Sequence, residues 1–394
     1  MIRSTIARVD LEALKSNFEA VRRFLASAPD PERSAPPGII AVVKANAYGH
    51  GSPNVARALE QAGATMLACA DIEEGIVLRQ AGVRVPILVF GALSVSDLDG
   101  LFDFSLTPTI STPGAARAVQ AAAARRRTSI GYHLKIDTGM NRLGFRHDNL
   151  ARTVPELLAG ENLRLDAVYT HFASADVPES ELMHEQRARF DRAARAVIGM
   201  AEQAAGAASR GGGSIMRHAA NSAALLRDSR TWYDVVRPGL LLYGIVPPPM
   251  ASTLPLVPVM SLSSRVVAVK GLRPGEGVGY GWRFQAETPR TIAVIPAGYA
   301  DGLDTRLSGR GQVLIRGCRV PIVGAISMDM ITVDVTGVDV VEPGDEVVIL
   351  GRQGQESWQQ IDAREMAAAI GAIPWEVVCR LGSRIERHYT TMGE

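Results

Sequence analysis

The sequence is poor in cysteine, balanced in charge and free of long apolar runs. Its three cysteines, Cys69, Cys318 and Cys379, are widely spaced among 394 residues, which argues against a disulfide framework and against a cysteine-based metal site. We expect them to be small buried side chains. The 42 lysines and arginines nearly balance the 41 aspartates and glutamates, so the charge indicates neither a nucleic acid nor an acidic membrane as a partner.

The absence of a long apolar run predicts a protein without a membrane-spanning helix. The longest runs, at 39–43 and 86–90, are far too short to cross a bilayer. The segment Met1–Thr5 lacks the apolar core and the small-residue cleavage site of a signal peptide. We therefore expect a cytoplasmic protein. A chain of 394 residues of which 47% are hydrophobic suits two domains with separate cores.

The first part of the chain has the pattern of a (β/α)8 barrel. Asp10 is expected to cap a helix whose apolar residues recur at helical spacing from Leu11 to Leu25. After a loop at 27–38, short runs that are apolar on both faces alternate with alanine-rich amphipathic stretches, which is typical of parallel strands with helical crossovers. Strands are predicted at 39–43, 66–70, 87–90, 105–109, 132–136, 167–170, 215–218 and 234–236, and helices for example at 71–80, 113–124 and 180–205. Eight strand–helix units in about 240 residues favour a barrel, with an open doubly wound sheet as the alternative.

The pattern changes to a β-rich one after the proline triplet Pro247–Pro249. Apolar segments separated by glycine and proline turns follow, at 257–269, 291–295, 312–315, 320–323, 330–335 and 346–350. Only 361–370 is predicted to be helical. We place the barrel at residues 11–247 and a mostly β domain at residues 248–394, together with residues 1–10.

Polar residues directly after the predicted barrel strands are the candidates for chemistry, because barrel active sites lie at the C-terminal ends of the strands. This set is rich in cations and amides and poor in carboxylates, which suits a phosphate-bearing, electron-withdrawing cofactor better than glycoside or metal chemistry. Its members are Lys44, Tyr48, Arg142, His171, Asn221, Ser222 and Arg237.

Lys44, at the end of the first barrel strand, has two interpretations. A lysine at a barrel rim can simply extend its amine into water. A lysine that is partly desolvated at a strand end has a lowered pKa and can form an imine with a carbonyl compound. On the residue alone the two are evenly balanced, and the flanking sequence decides between them.

The segment 43–51 (VKANAYGHG) closely resembles the pyridoxal phosphate (PLP) attachment signature of alanine racemases. Seven further segments resemble other motifs of that family, in the family's order along both predicted domains. They are 135–144 (KIDTGMNRLG), 171–176 (HFASAD), 218–223 (HAANSA), 237–244 (RPGLLLYG), 279–281 (GYG), 298–302 (GYADG) and 327–330 (SMDM). The resemblance implies a PLP-dependent enzyme that interconverts L-alanine and D-alanine.

The resemblance implies two bases on opposite faces of the cofactor. Racemisation removes a proton from one face of the alanine Cα and delivers a proton to the other. Lys44, which would carry PLP, would handle the D-alanine proton, and Tyr280 of a partner subunit would handle the L-alanine proton. The expected assembly is therefore a homodimer with shared sites. A free tyrosine has a pKa of about 10, so Tyr280 needs a neighbouring cation, for which Arg142 and His171 are the candidates.

The resemblance also implies which residues bind the cofactor. Arg237 would donate to the pyridine nitrogen, which then stays unprotonated because a guanidinium only donates. His171 would orient Arg237. The phosphate would be held by hydroxyls and backbone N–H groups, with Asn221 close by. These phosphate groups belong to Tyr48, Ser222, Gly239 and Leu240.

The substrate contacts implied by the resemblance come from both domains. Arg142 would pair with the alanine carboxylate. Met328, through its main chain, and Asp329 would contact the substrate from the partner subunit, and Tyr299 would restrict the entrance. Lys135 corresponds to a lysine that is carbamylated in some relatives.

The resemblance is incomplete in the C-terminal segment, and alternatives stay open. Several relatives have a phosphate-binding tyrosine where this chain has Ser383, and a proline where it has Glu386, so we do not assign the phosphate role to Ser383. A broad-specificity serine and alanine racemase shares the same motifs. A barrel-type PLP decarboxylase shares the layout, but its cysteine-bearing motif is absent from the sequence. A non-enzymatic PLP-binding protein of the bare-barrel type would lack the β domain. The supply of D-alanine for peptidoglycan is the family expectation.

Overall fold

The computed structural model describes residues 4–28, 35–93, 97–205, 214–354 and 358–391. Residues 29–34 of the predicted loop at 27–38 lie outside these ranges. The helices are α1 (Leu11–Ser27), α2 (Lys44–Tyr48), α3 (Ser52–Gln61), α4 (Ile72–Gln80), α5 (Asp99–Asp103), α6 (Pro113–Arg125), α7 (Leu150–Leu158), α8 (Leu182–Ala205), α9 (Ser222–Arg227), α10 (Ala363–Ile370) and α11 (Pro374–Cys379). Within the described ranges, the helices lack the length and apolar character that crossing a membrane requires.

The strands of the first domain form a parallel barrel. They are β2 (Gly38–Val42), β3 (Met66–Cys69), β4 (Ile87–Val89), β5 (Thr107–Ile110), β6 (Ile130–Asp137), β7 (Phe145–Arg146), β8 (Leu163–Tyr169), β9 (Met216–His218) and β10 (Val235–Val236). Their order is β10-β2-β3-β4-β5-β6-β8-β9, with β7 at the end of β6, and every neighbouring pair is parallel. Backbone hydrogen bonds from Asp234 to Arg217 (3.1 Å) and from Arg237 to Ala220 (2.8 Å) join the two ends. The predicted barrel is confirmed, and the open sheet is excluded.

The predicted barrel elements occur at nearly the predicted positions. Asp10 caps α1 by accepting from the backbone N–H groups of Glu12 (2.9 Å) and Ala13 (2.8 Å). The largest difference among the strands is at 167–170, where β8 begins four residues earlier than predicted, at Leu163. At 105–109, β5 begins only at Thr107. Ser105 has a φ of 50° and so belongs to a turn, because the left-handed region does not continue a strand.

The second domain is built on a largely antiparallel sheet. Its strands are β1 (Ile6–Asp10), β11 (Met260–Arg265), β12 (Ala268–Leu272), β13 (Gly277–Val278), β14 (Phe284–Gln285), β15 (Arg290–Ile295), β16 (Gln312–Ile315), β17 (Cys318–Val323), β18 (Ile331–Asp334), β19 (Glu346–Gln353), β20 (Gln359–Ile361) and β21 (Glu386–Thr390). The sheet order is β12-β15-β18-β17-β16-β19-β11-β1-β21, β20 pairs with β19, and β13 and β14 form a separate hairpin. The N-terminal strand β1 thus lies in the sheet of the second domain.

Three expectations for the second half need correction. The predicted segment 257–269 is divided between β11 and β12, which pair with different strands. The prediction of a single helix is wrong, because α11 follows α10; its two adjacent valines, Val377 and Val378, favour a strand by propensity. The expectation of buried cysteines fails at Cys318, which is exposed, because it begins β17 directly after a surface turn at Arg316 and Gly317.

A buried asparagine on α1 joins the barrel to the linker between the domains. Asn17 is completely buried. Its Nδ2 donates to the carbonyl oxygens of Leu242 (3.1 Å) and Val257 (2.8 Å), and its Oδ1 accepts from the N–H of Val257 (2.8 Å). All three polar partners are backbone groups, so the contact fixes the linker against α1.

We expect Asn17→Asp to lower the free energy of unfolding by about 2–4 kcal/mol, because a carboxylate only accepts and would face two carbonyl oxygens without water. The control is Asn54→Asp, because the Asn54 side chain only accepts, from Arg57 at the surface; we expect a change of less than about 0.5 kcal/mol there. Denaturant unfolding at neutral pH measures both. Equal effects of the two substitutions would contradict the assigned role of Asn17.

Candidate active site

A cavity of about 470 Å³ lies at the C-terminal ends of the barrel strands, within the usual size range of small-molecule sites. Residues that the sequence placed at strand ends converge on it, although they are far apart in the chain. Those lining it are Lys44, Tyr48, Lys135, Arg142, His171, Asn221, Ser222, Arg237, Gly239 and Leu240. Among the described residues that line it, Asp176 is the single carboxylate, so the cavity is predominantly cationic.

Lys44 enters the cavity from the first turn after β2, and this turn is left-handed. Ala45, Asn46, Ala47 and Tyr48 have φ values of 53°, 51°, 55° and 51°. Each such residue other than glycine costs about 1–2 kcal/mol relative to right-handed backbone. A run of four residues therefore needs strong support from its surroundings.

Side chains of the following segment supply part of that support. The Asn46 Oδ1 accepts from the backbone N–H of Ser52 (2.8 Å). His50, which is buried, contacts the carbonyl oxygens of Ala47 (3.0 Å) and Tyr48 (2.9 Å) through Nδ1. Because carbonyl oxygens only accept, His50 Nδ1 must carry the proton. These bonds fix both ends of the left-handed turn.

The second domain of the same chain packs directly on this turn. Arg387 donates through Nε to the carbonyl oxygen of Gly49 (2.7 Å). A Cβ atom at Gly49 would overlap the carbonyl oxygen of Val378 in α11, so glycine permits the close approach. Trp375, from the same helix, lines the cavity. The turn that presents Lys44 is therefore held between the two domains.

The surroundings of the two lysines favour their neutral amines. The pKa of Lys44 is lowered, chiefly by burial of its amine in the cavity and next by the charge of Arg142. The pKa of Lys135 is lowered to about 8 by burial and then by the charges of Arg142 and Arg237. A neutral amine is the nucleophilic and basic form, so Lys44 is suited both to attack a carbonyl carbon and to accept a proton.

Arg237 is buried and firmly oriented. Its Nη2 donates to the carbonyl oxygens of Thr170 (2.8 Å) and Ala219 (2.9 Å), and its Nη1 donates to Nδ1 of His218 (2.6 Å). Its guanidinium also lies 5.1 Å from the ring centre of Tyr169. Within the described ranges, three of the five N–H groups of the guanidinium are thus bound by protein, which leaves two for the cavity that Arg237 lines.

The histidine that accepts a hydrogen bond from Arg237 is His218, whereas His171 was expected to orient Arg237. Because Arg237 only donates, His218 must accept at Nδ1 and carry its proton on Nε2, which lies 3.0 Å from Nδ1 of His133. His133 then carries its own proton on Nε2, a buried atom that has no hydrogen-bond partner among the described residues. Burial lowers the pKa values of His218 and His133, so both are neutral. His218 could have been found from its motif at 218–223, whereas His133 was marked only by its place two residues before Lys135 on β6.

His171 also differs from expectation in its charge. It lines the cavity, but burial and the nearby charges of Arg237 and Lys135 lower its pKa well below the usual range. A neutral His171 does not supply the cation that Tyr280 was expected to need. Arg142 is the remaining candidate for that role.

Hydroxyls and backbone N–H groups form a compact rim at one end of the cavity. Ser222 Oγ accepts from the N–H of Gly239 (3.0 Å). A Cβ atom at Gly239 would lie 2.6 Å from the hydroxyl of Tyr48, so this space is free only because residue 239 is glycine. With the N–H of Leu240, the rim fits the oxygens of a phosphate group. Asn221 uses its side-chain oxygen to cap α9 at Ala224 (2.9 Å), which leaves its amide nitrogen for the cavity.

The four candidates of the second domain do not reach the cavity within one chain. Tyr280, Tyr299 and Met328 are 78%, 45% and 52% exposed, and Asp329 is also exposed. The loops of Tyr299 and Met328 are bonded to each other through their backbones, and Arg384 links Asp329 to the buried Asp301. Ser383 is exposed and does not line the cavity.

Comparison with known proteins gives consistent matches over the whole chain. The model of the alanine racemase N-terminal domain matches residues 9–247, and that of the C-terminal domain matches residues 259–389. The alanine racemase of Sorangium cellulosum is 40% identical over 98% of this chain and 99% of its own length. That of Carboxydothermus hydrogenoformans is 39% identical over 98% of this chain and 100% of its own length.

Solved structures give the same result for the fold. An alanine racemase from D-cycloserine-producing Streptomyces lavendulae matches with a TM-score of 0.88 at 33% identity, covering 99% of this chain and 98% of that chain. An alanine racemase from Bartonella henselae with covalently bound pyridoxal phosphate matches with a TM-score of 0.83 at 28% identity, covering 98% of this chain and 99% of that chain. The similarity therefore includes both domains.

The buried histidines predict a loss of stability in mild acid. Burial lowers the pKa of His50 to about 4 and that of His133 to about 3, and it also lowers those of His171 and His218. Above the unfolded value of about 6.5 neither state is charged. Below pH 6.5 the histidines of the unfolded chain bind protons, whereas the buried histidines of the folded chain stay neutral. The free energy of unfolding therefore falls by up to about 1.4 kcal/mol per pH unit for each histidine, until the pH reaches the pKa values of the folded state.

Denaturant unfolding between about pH 7.5 and pH 4.5 measures this slope. His50→Asn is the matched variant, because its amide can still donate to the two carbonyl oxygens but does not titrate. This variant should lower the slope of the free energy of unfolding against pH by about 1.4 kcal/mol per pH unit, the contribution of one proton. A free energy of unfolding that stays constant between pH 7 and pH 5 would contradict the neutral state of these histidines.

Proposed function

The chain belongs to the alanine racemase family, and we propose that it interconverts L-alanine and D-alanine in a PLP-containing site that a second copy of the chain completes. The observation that supports this most is the convergence of Lys44, Arg237 and the hydroxyl and N–H rim on one cavity. The expected relationship to the family and the racemase activity agree with the matches along both domains.

PLP is the cofactor that the donors of the cavity fit. Covalently bound PLP in the Bartonella henselae relative supports the assignment. When bound, PLP withdraws electrons from the carbon that bears the amino group and makes its hydrogen acidic. In this chain Lys44 would hold it covalently, and Arg237 would donate to its ring nitrogen through an N–H that the protein leaves free. Tyr48, Ser222, Gly239 and Leu240 would bind its phosphate, with His171 and Asn221 as further contacts.

Two bases then exchange the proton at Cα. Arg142, whose charge lies in the cavity near Lys44, would bind the alanine carboxylate and so present one face of Cα to Lys44. Lys44, whose lowered pKa favours the free amine, would take or return the proton of D-alanine. Tyr280 would do the same for L-alanine from the opposite face. To remove or return the proton, the basic atom of each residue must lie about 3 Å from Cα.

The exposed position of Tyr280 supports a homodimer. Within one chain Tyr280 projects into solvent, and Tyr299, Met328 and Asp329 lie on the same domain without reaching the cavity. We infer that they contact the site of the partner subunit, with Met328 and Asp329 near the substrate and Tyr299 at the entrance. An alanine-sized site with two bases then forms only when two copies associate.

We further propose the biological setting that the sequence suggested. The domain division would be 11–247 for the barrel, and 248–394 with 1–10 for the second domain. The enzyme would act in the cytoplasm and supply D-alanine for peptidoglycan, without nucleic acid or membrane partners. The relatives that match both domains are alanine racemases, and this does not favour a serine racemase or a decarboxylase.

We expect the purified protein to abolish the optical activity of L-alanine and to show a visible absorbance band that borohydride removes. Lys44→Ala should lose the band and at least about 10³-fold of the activity, because it removes both the attachment point and one base. Lys270→Ala, at an exposed site on β12, is the control and should retain both. Retained activity in Lys44→Ala would contradict the proposal, and release of CO2 from L-lysine or L-ornithine would indicate a decarboxylase.

A further inference from the structure

Tyr280 lies at the tip of a hairpin that is anchored at its base. In the β13–β14 pair, Gly277 is opposite Gln285 and Val278 is opposite Phe284. Val278 is buried in a small cluster, against which Phe284 packs. The base of the hairpin is therefore fixed to the sheet, whereas the residues between the two strands project from it.

The turn between the strands has an unusual backbone. Gly279 and Gly281, which flank Tyr280, have φ values of 66° and 67°, and Trp282 has a φ of 44°. A bulky residue in the left-handed region is rare and strained. The backbone hydrogen bond across the turn, from Trp282 to Gly279, is long at 3.4 Å. Some other contact must hold Trp282 in this conformation.

That contact is made by the indole of Trp282 with the backbone of Gly277. A Cβ atom at Gly277 would lie 2.6 Å from Cδ2 of the indole, so the ring occupies the place where a side chain of residue 277 would be. Although Trp282 is 61% exposed, its indole packs on Gly277 in the opposite strand of the hairpin. Gly277 and Trp282 together close the turn.

Tyr280 has little other support within its own chain. Its side chain is 78% exposed, so packing of its ring against this chain does not determine where it points. The direction of Tyr280 is set by the backbone of the turn, and the turn is held by the contact between Trp282 and Gly277.

We propose that Trp282 is a positioning residue for Tyr280. The indole on Gly277 fixes the path of the backbone after Tyr280 and so the direction in which the phenol leaves the hairpin. This inference rests on the proposed function of Tyr280 as the base for L-alanine. A misplacement of about 1 Å can reduce a proton transfer by about 100-fold, so a loosened turn should slow the Tyr280 step and leave the Lys44 step unchanged.

The direct test is Trp282→Gly, because glycine accepts a positive φ without strain and so removes the indole without adding backbone strain. We expect kcat for alanine to fall by about 10- to 100-fold with little change in KM. The kinetic isotope effect with α-deuterated L-alanine should rise, whereas that with α-deuterated D-alanine should not. In the cofactor-free protein, amide hydrogen exchange of residues 277–285 should become faster. Trp282→Phe, which keeps a ring over Gly277, should restore most of kcat.

Two further variants keep the proposal open to contradiction. Gly277→Ala retains Trp282 but places a methyl group where the indole lies, so it should give the same asymmetric isotope effects. It provides the test if Trp282→Gly does not fold. Trp358→Ala removes a comparably exposed tryptophan that stacks on Arg352 instead, and it should behave like the unmodified enzyme.

Several outcomes would overturn the proposal. They are unchanged kcat and isotope effects in Trp282→Gly, equal rises in both isotope effects, unchanged hydrogen exchange, or a loss of activity explained by dissociation of the dimer in sedimentation. The last result would make Trp282 an interface residue. If instead the unmodified enzyme does not racemise alanine, or if Tyr280→Phe racemises it normally, the proposed function fails rather than the role of Trp282.

Discussion

The left-handed turn after Lys44 is the constraint on which the rest of the site depends. Four consecutive residues, from Ala45 to Tyr48, have positive φ, and this reverses the chain so that Lys44 and Tyr48 both line the cavity. The cost of this backbone is offset by hydrogen bonds that the His50 side chain donates and the Asn46 side chain accepts. It is offset as well by the second domain, whose Arg387 binds Gly49. The second domain thus shapes the barrel site of its own chain before any second copy is considered.

A second theme is the concentration of positive charge with neutral histidines. Burial, and next the charges of the neighbouring cations, lower the pKa values of Lys44 and Lys135; these cations include Arg142 and Arg237. The histidines beside them are kept neutral by burial, so they orient groups by hydrogen bonding and do not add to the charge. Such a cavity is suited to a phosphate and a carboxylate, whose negative charges would compensate the cations. The same arrangement keeps Lys44 available as a neutral amine.

The fold was largely predictable because it depends on hydrophobic periodicity. The buried runs of β2, β3 and β4 are apolar on both faces, and the ends of the predicted strands pointed directly to Lys44, Arg237 and Ser222. What could not be predicted depends on side-chain direction and on backbone conformation. His171 follows β8 and His218 ends the neighbouring strand β9, and only the structure shows which one contacts Arg237. The sequence Ala45-Asn46-Ala47 does not predict a left-handed run, because alanine favours the right-handed helix and asparagine adopts left-handed backbone only as a single residue.

The central claim is that one site combines Lys44 of one chain with Tyr280 of another. The most direct test is to mix the Lys44→Ala and Tyr280→Phe proteins and refold them together. Each variant alone lacks one base at both sites. Random reassortment makes half of the dimers mixed, each with one intact site, so the account predicts recovery of about a quarter of the unmodified activity. A mixture that stays as inactive as its two components would contradict a shared site.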